Sequence, residues 1–315
     1  MDNLINNLGI LVYATLLYTA PLLYAAMGSC FSEVSGVVNI GIEGMMTMGA
    51  FTGAAVAYFT GNPWLGFLCA GLSGMAFALL HGVATVKFGA DQTISGTAIN
   101  FLAPGVAIVT AKAIFNSSDT IPLEPTSKMP ILFSGVFSSG TPWSNFMKNV
   151  FSTYASTYLV FVVLVVVWFV FYKTRFGLRM RACGEHPMAC QSLGIDVHRT
   201  RMICVCLSGF LAGLGGACMT MATSNQFRPT SIVGQGFIAI AAVIFGKFRP
   251  QGAMIGCLLF GLCSGLRVVI GSSSLNISVQ LLSMIPYVVT VIVLIFFVGK
   301  SHVPAANGKP FVKAK

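Results

Sequence analysis

Apolar runs long enough to cross a bilayer follow one another along almost all of this 315-residue chain, and no other feature constrains its fold as tightly. A helix needs about 20 apolar residues to span ~30 Å of hydrocarbon. Such runs lie at Leu8–Gly28, Val34–Phe59, Trp64–Val86, Thr93–Phe115, Thr157–Tyr172, Met202–Thr223, Gly234–Phe245, Ala253–Ile270 and Leu281–Val298. The seventh is too short for a full crossing, which fits a tilted or broken element. The second is long and glycine-rich, as two half-segments would be. Backbone polar groups in lipid must be satisfied within the span, and helices do this locally. The expected fold is therefore all-α: a polytopic membrane helix bundle of about 8–10 spans, some broken or short. Charged residues make up 8% of the chain, against roughly 25% in a soluble domain. One transmembrane domain over residues 1–315 is expected, with its longest non-spanning stretch at Asn116–Thr153.

The formal charge of +10 is spread over span ends rather than gathered on a soluble face, which argues against a nucleic-acid partner. The positives cluster at Lys173–Arg201, Lys247–Arg249 and Lys300, Lys309, Lys313 and Lys315. The positive-inside rule places all three groups, and the C-terminus, in the cytoplasm. Asn116–Thr153 and the Ser272–Ser278 turn then face outward, and counting back puts the N-terminus outside. The chain has Asp2 and no Lys or Arg before its first apolar run, which predicts a retained span rather than a signal peptide. Pro122, Pro125, Pro130 and Pro142 stiffen the outer loop, and Trp143 suits the headgroup level.

Six cysteines (Cys69, Cys204, Cys206, Cys218, Cys257 and Cys263) lie in apolar runs, where cysteine acts as a small hydrophobe. Cys183, His186, Cys190 and His198 form a looser group among six cations. No metal is expected there, because the tight repeats of a metal site are missing. No catalytic residue is expected either: HExxH, GxSxG and any histidine–carboxylate pairing within a span are absent. Gly299-Lys300-Ser301 imitates the end of a nucleotide-binding loop but lacks the earlier glycine and the preceding strand. ATP chemistry is thus expected outside this chain.

Polar residues inside apolar runs are the candidate substrate contacts. Asn39-Ile40-Gly41-Ile42-Glu43-Gly44 sets an amide and a carboxylate between glycines. An intramembrane acid costs ~2.5–3.5 kcal/mol on insertion scales and marks a functional site by default. Glycines let the backbone unwind, which is tolerated where it is buried or lines a cavity. Glu43 could instead tie down loose amides or pair with Arg267. Asn100 and Gln235 are similar cases, able to bind a hydroxylated substrate or simply another helix. Small residues four apart at Gly49/Gly53, Gly209/Gly213 and Gly261/Gly265 allow close helix packing, whereas the valines between Val160 and Val170 suit a lipid-facing helix.

The segment Arg175–Arg201 is different in kind, a basic, punctuated loop. Its centre reads as one very short helix, with Pro187 at the first position and Gly194 just past the end. Met188, Ala189, Ser192 and Leu193 would share a face fit to dock in another protein's groove.

Three blocks together resemble a permease subunit of the ATP-binding-cassette importers, in the branched-chain amino acid, simple-sugar and nucleoside group. They are NIGIEGMMTMGAFTG (39–53), GLRMRACGEHPMACQSLGIDVHRTR through SGFLAGLGGA (177–217) and GFIAIAAVIFGKFRPQGA (236–253). NIGIEG followed by GAF resembles the nucleoside type, although GADQTISGTAIN (89–100) departs from that type's NEV-like block. The resemblance implies ATP-driven import of nucleosides through a bacterial inner-membrane protein. Sister readings are a sugar or branched-chain amino acid importer, or an ATP-independent carrier or channel. It also implies partner ATPase subunits that bind ATP, a second and different permease, and an external substrate-binding lipoprotein or periplasmic protein. The family's coupling helix falls on Glu185, Pro187, Met188, Ala189, Leu193 and Gly194. Asn39, Glu43, Asn100 and Gln235 remain the candidate substrate-pathway residues.

Overall fold

The computed structural model describes residues 2–116, 121–133, 142–271, 278–297 and 303–311. The Gly299-Lys300-Ser301 triplet, Lys313, Lys315 and the Ser272–Ser278 turn up to residue 277 lie outside the described residues. Among these residues helices dominate. They are α1 (Asp2–Val34), α2 (Ile42–Thr60), α3 (Pro63–Gly82), α4 (Gln92–Phe115), α5 (Pro142–Phe151) and α6 (Ala155–Lys173), then α7 (Arg175–Glu185), α8 (Pro187–Ser192), α9 (Val197–Cys218), α10 (Gln235–Phe245), α11 (Pro250–Gly271) and α12 (Val279–Phe297). Wider π turns prolong α3 to Lys87 and α9 to Ser224. Among the described residues, six helices (α1, α3, α4, α6, α9 and α11) are long and apolar enough to cross a membrane. The fold is an all-α polytopic membrane bundle. The seventh expected span is the 11-residue α10, too short to cross.

Several boundaries differ from the sequence reading, each for a local reason. Val34 ends α1 instead of opening the second span, and residues 35–41 are not helical before α2 starts at Ile42. The basic loop contains a second helix, α7, which Thr174 caps through Oγ1 accepting the Gly177 N–H at 3.1 Å. The sixth span begins at Val197, ahead of Met202, because Asp196 Oδ1 accepts the Arg199 N–H at 2.9 Å. The described part of the stretch expected outside contains α5 and a short strand, Ile121–Pro122, paired antiparallel with Gln226–Phe227.

At the centre lies α9, packed against α1, α2 and α3. Its glycines let backbones touch: a methyl on Gly213 would meet the Ala70 carbonyl and Gly71, and one on Gly216 would strike the Met46 carbonyl. Gly49 of α2 meets Gly213, while Gly261 and Gly265 of α11 receive Thr19 and Thr15 of α1. The glycine pairs visible in the sequence thus join α2 to α9 and α11 to α1.

The ends of the bundle follow from these contacts. The start of α1 meets α5 where Gly9 faces Asn149, and its far end meets α9 where Arg201 Nε donates to Ser35 O at 3.1 Å. Residues 303–311 lie at this second, basic end, with Ala306 N–H donating to Gly184 O at 2.9 Å. Lys247 and Arg249 share a cavity with Arg181 and Glu185 there. The strand and α5 lie at the opposite end.

Candidate substrate site and coupling helix

After α1 reaches the basic end, the chain turns back into the bundle as buried, irregular backbone. Such backbone needs external hydrogen-bond partners, and the neighbouring helices provide them. Gln92 Oε1 of α4 accepts from Val38 N–H at 2.6 Å. The His81 ring of α3 lies 3.2 Å from Val38 O. Asn100 serves both sides of the break, its Nδ2 donating to Ile40 O at 2.9 Å and its Oδ1 accepting from Gly44 N–H at 2.8 Å. Asn39 is fully buried; its Nδ2 donates to Ser208 Oγ of α9 at 3.0 Å, while its Oδ1 is unpartnered. Gly44 is needed here because a Cβ would come within 2.6 Å of the Ile99 carbonyl oxygen.

Glu43, in the first turn of α2, reaches across to the start of α10. Its Oε1 accepts the Gly234 N–H at 2.8 Å, and the N–H groups of Gly236 and Phe237 point at the same carboxylate. Oε2 receives no hydrogen bond of full geometry. The first N–H groups of a helix have no partner of their own and carry partial positive charge, so the acid holds the N-terminus of α10. Of the two structural roles open to Glu43 in the sequence, this is the amide-tying one. Arg267 lies instead with its guanidinium 5.7 Å above the Tyr18 ring.

Beside this junction is a cavity of about 280 Å³. Its polar lining includes Tyr18 of α1, Thr230 of the α9–α10 connection, Gln235 of α10, Ser264 and Arg267 of α11 and Tyr287 of α12. Binding sites combine apolar walls with a few convergent polar groups. Here aromatic rings offer flat faces, while the amide, hydroxyls and guanidinium offer hydrogen bonds. Of the four candidate pathway residues, Gln235 lines the cavity, and Glu43 stands behind it, fixing the Gly234–Phe237 segment. Asn100 bonds the irregular backbone on both sides of the break, whereas Asn39 ties that segment to Ser208 of α9 and keeps its Oδ1 unpartnered. Gln92, His81 and Ser208 were not singled out from sequence; a polar side chain at or inside an apolar run was their available signal. Tyr18 and Tyr287 gave none.

At the basic end, α8 forms as its punctuation predicts, with Pro187 at its first position and Gly194 at φ 78°. Met188 is 55% and Leu193 80% exposed, with Ala189 and Ser192 beside them. Glu185 differs from that group: its Oε2 accepts the Ala305 N–H at 3.3 Å. Below the exposed face, Cys183, Cys190 and Val197 form a small core of their own. Burial, then the neighbouring Cys190, pushes the Cys183 thiol up to about 12, so it stays protonated packing material. His198 leaves this group, its Nδ1 lying 3.0 Å from Val86 O. Arg201 braces the same region from below, with Nη1 donating to Lys309 O at 3.0 Å.

Comparison with known proteins gives the family. Residues 11–296 match the family described as branched-chain amino acid transport system / permease component. The guanosine ABC transporter permease protein NupQ of Bacillus subtilis is 41% identical, covering 99% of both chains. The nucleoside ABC transporter permease protein NupC of Lactococcus lactis is 40% identical, covering 99% of this chain and 100% of that one. A second Bacillus subtilis protein, the guanosine ABC transporter permease protein NupP, is 24% identical over 94% of this chain and 83% of its own. Matched from residue 11 to residue 296, and end to end by two relatives about 40% identical, this chain belongs to the branched-chain amino acid transport system permease family.

Proposed function

We propose that this chain is a permease subunit of an ATP-driven importer that moves nucleosides, purine or pyrimidine, into the cytoplasm. The observation that carries the substrate class is the end-to-end likeness to two permeases named for guanosine and nucleosides. The cavity supports it: rings at Tyr18 and Tyr287 suit a flat base, and Gln235, Ser264 and Thr230 suit ribose hydroxyls.

ATP is bound and hydrolysed by separate ATPase subunits, which push on α8 from the cytoplasm. Likeness to both NupQ and NupP supports pairing with a second, different permease. An external binding lipoprotein or periplasmic protein delivers the substrate. Uptake of radiolabelled guanosine by the reconstituted complex, competed with uridine, ribose and leucine, tests the reading. Competition by nucleosides alone is expected. Competition by ribose or leucine in place of nucleosides would move the chain to a sister branch of the family.

A further inference from the structure

We propose that the cleft between α6–α7 and the α10–α11 turn is a headgroup site for an anionic phospholipid. The cleft has a volume of about 870 Å³, and three cations line it: Arg181, Lys247 and Arg249. Glu185 is the one carboxylate on the lining, and its Oε2 is occupied by the Ala305 N–H. The net charge around the cleft is therefore positive.

Two of the cations are held there at a conformational cost. Lys247 and Phe248 both have left-handed backbone, with φ of 54° and 58°, which is uncommon for two successive non-glycine residues. The Phe248 side chain is buried and pins the turn, so Lys247 and Arg249 flank a fixed anchor. Strain of this sort persists where the surroundings enforce it, and it clusters at binding sites.

The walls distinguish a lipid from a free phosphate. Trp168 and Tyr172 of α6 line the cleft, and the Arg181 guanidinium lies 5.5 Å above the Tyr172 ring. Phe161, Val165, Trp168 and Tyr172 recur at helical spacing on one face of α6, and Val165 is 63% exposed. An apolar lane of this sort leads from the membrane into a cationic pocket, where tryptophan marks the interface. Acyl chains fit the lane and the phosphate fits the cations; a soluble anion would have no use for the lane. Basic pockets between spans are the usual form of such headgroup sites.

The test uses the assembled complex in phosphatidylcholine nanodiscs, titrated with cardiolipin and read by native mass spectrometry. Arg181→Gln, Lys247→Gln and Arg249→Gln should each weaken cardiolipin binding by roughly fivefold, and together abolish it. Arg179→Gln, which removes a nearby cation outside the cleft, should leave binding unchanged. Inorganic phosphate should not compete. If the triple variant fails to assemble, Lys247→Gln alone decides, because that side chain is solvent-exposed. Wild-type titration by the cleft variants, equal loss in Arg179→Gln, or displacement by inorganic phosphate would each overturn the site. So would a triple variant that keeps cardiolipin but sheds its ATPase, which would make the cleft a protein contact.

Discussion

Glu43 shows how a single side chain can join two elements that the sequence keeps far apart. Its carboxylate meets the N–H of Gly234 and faces those of Gly236 and Phe237, so the charge sits on the positive end of the α10 dipole. Hydrogen bonds to charged groups contribute about 1.5–3 kcal/mol each, enough to set where Gln235 stands in the cavity. Glu43→Gln keeps one acceptor oxygen and removes the charge, and should lower uptake roughly tenfold. Glu43→Ala removes both and should bring uptake to background while the complex still assembles. Proteoliposome uptake beside size-exclusion analysis measures this. Full uptake by the alanine variant would show that the carboxylate has no part in transport. The sequence made Glu43 visible because an acid among apolar residues needs a reason to be there. It could not show the reason, since the partners are backbone amides 191 residues away. Asn100 stands out in the sequence for the same reason, and its partners too are distant backbone, Ile40 and Gly44.

Helices were legible where apolar length or punctuation marked them, and least where a polar segment was helical. The six long spans follow from hydropathy, and α8 from Pro187 and Gly194. The amphipathic α7 was hidden because Arg175, Arg179 and Arg181 read as loop charge, whereas tertiary burial of Met180 and Cys183 makes it a helix. Glycine spacing showed that helices pack closely, and only the fold shows which ones. Gly216→Ala should therefore be severe: its methyl would enter the Met46 backbone, which has no room to yield. A loss of about 1–3 kcal/mol or more is expected from such overpacking, read as a lower melting temperature of the purified complex. Gly105→Ala is the contrast, since nothing lies within 4 Å of its added methyl, and helix propensity favours alanine by up to about 1 kcal/mol. Equal melting of the two variants would contradict the packing. On α8, Leu193→Asp places a charge on the exposed apolar tip. It should leave the fold intact and uncouple ATP hydrolysis from uptake. Unchanged transport-linked hydrolysis would remove α8 from the coupling path.

Over the whole molecule, most of the described cations gather with α8 at one end of the bundle, and this ties orientation to mechanism. Lys173–Arg201, Lys247, Arg249 and residues 303–311 gather at one end, where Arg201 links the α1–α2 break at Ser35 to the 303–311 segment at Lys309. Displacement of α8 has a short packed route to Asn39–Gly44 through Gly184, whose added methyl would meet Val34. Under the proposed function such a route is useful only if the basic end faces the cytoplasm, the side that the positive-inside rule assigns. Thr126 and Ser192 are exposed at the two opposite ends, so each can report its side as a cysteine. Native cysteines give little background, all nine being buried or half-buried. In intact cells an impermeant maleimide should label Thr126→Cys and spare Ser192→Cys, and inside-out vesicles should reverse the pattern. Labelling of Ser192→Cys from outside would invert the bundle. The coupling helix would then face away from the ATP, and the proposed direction of drive would fall with the topology.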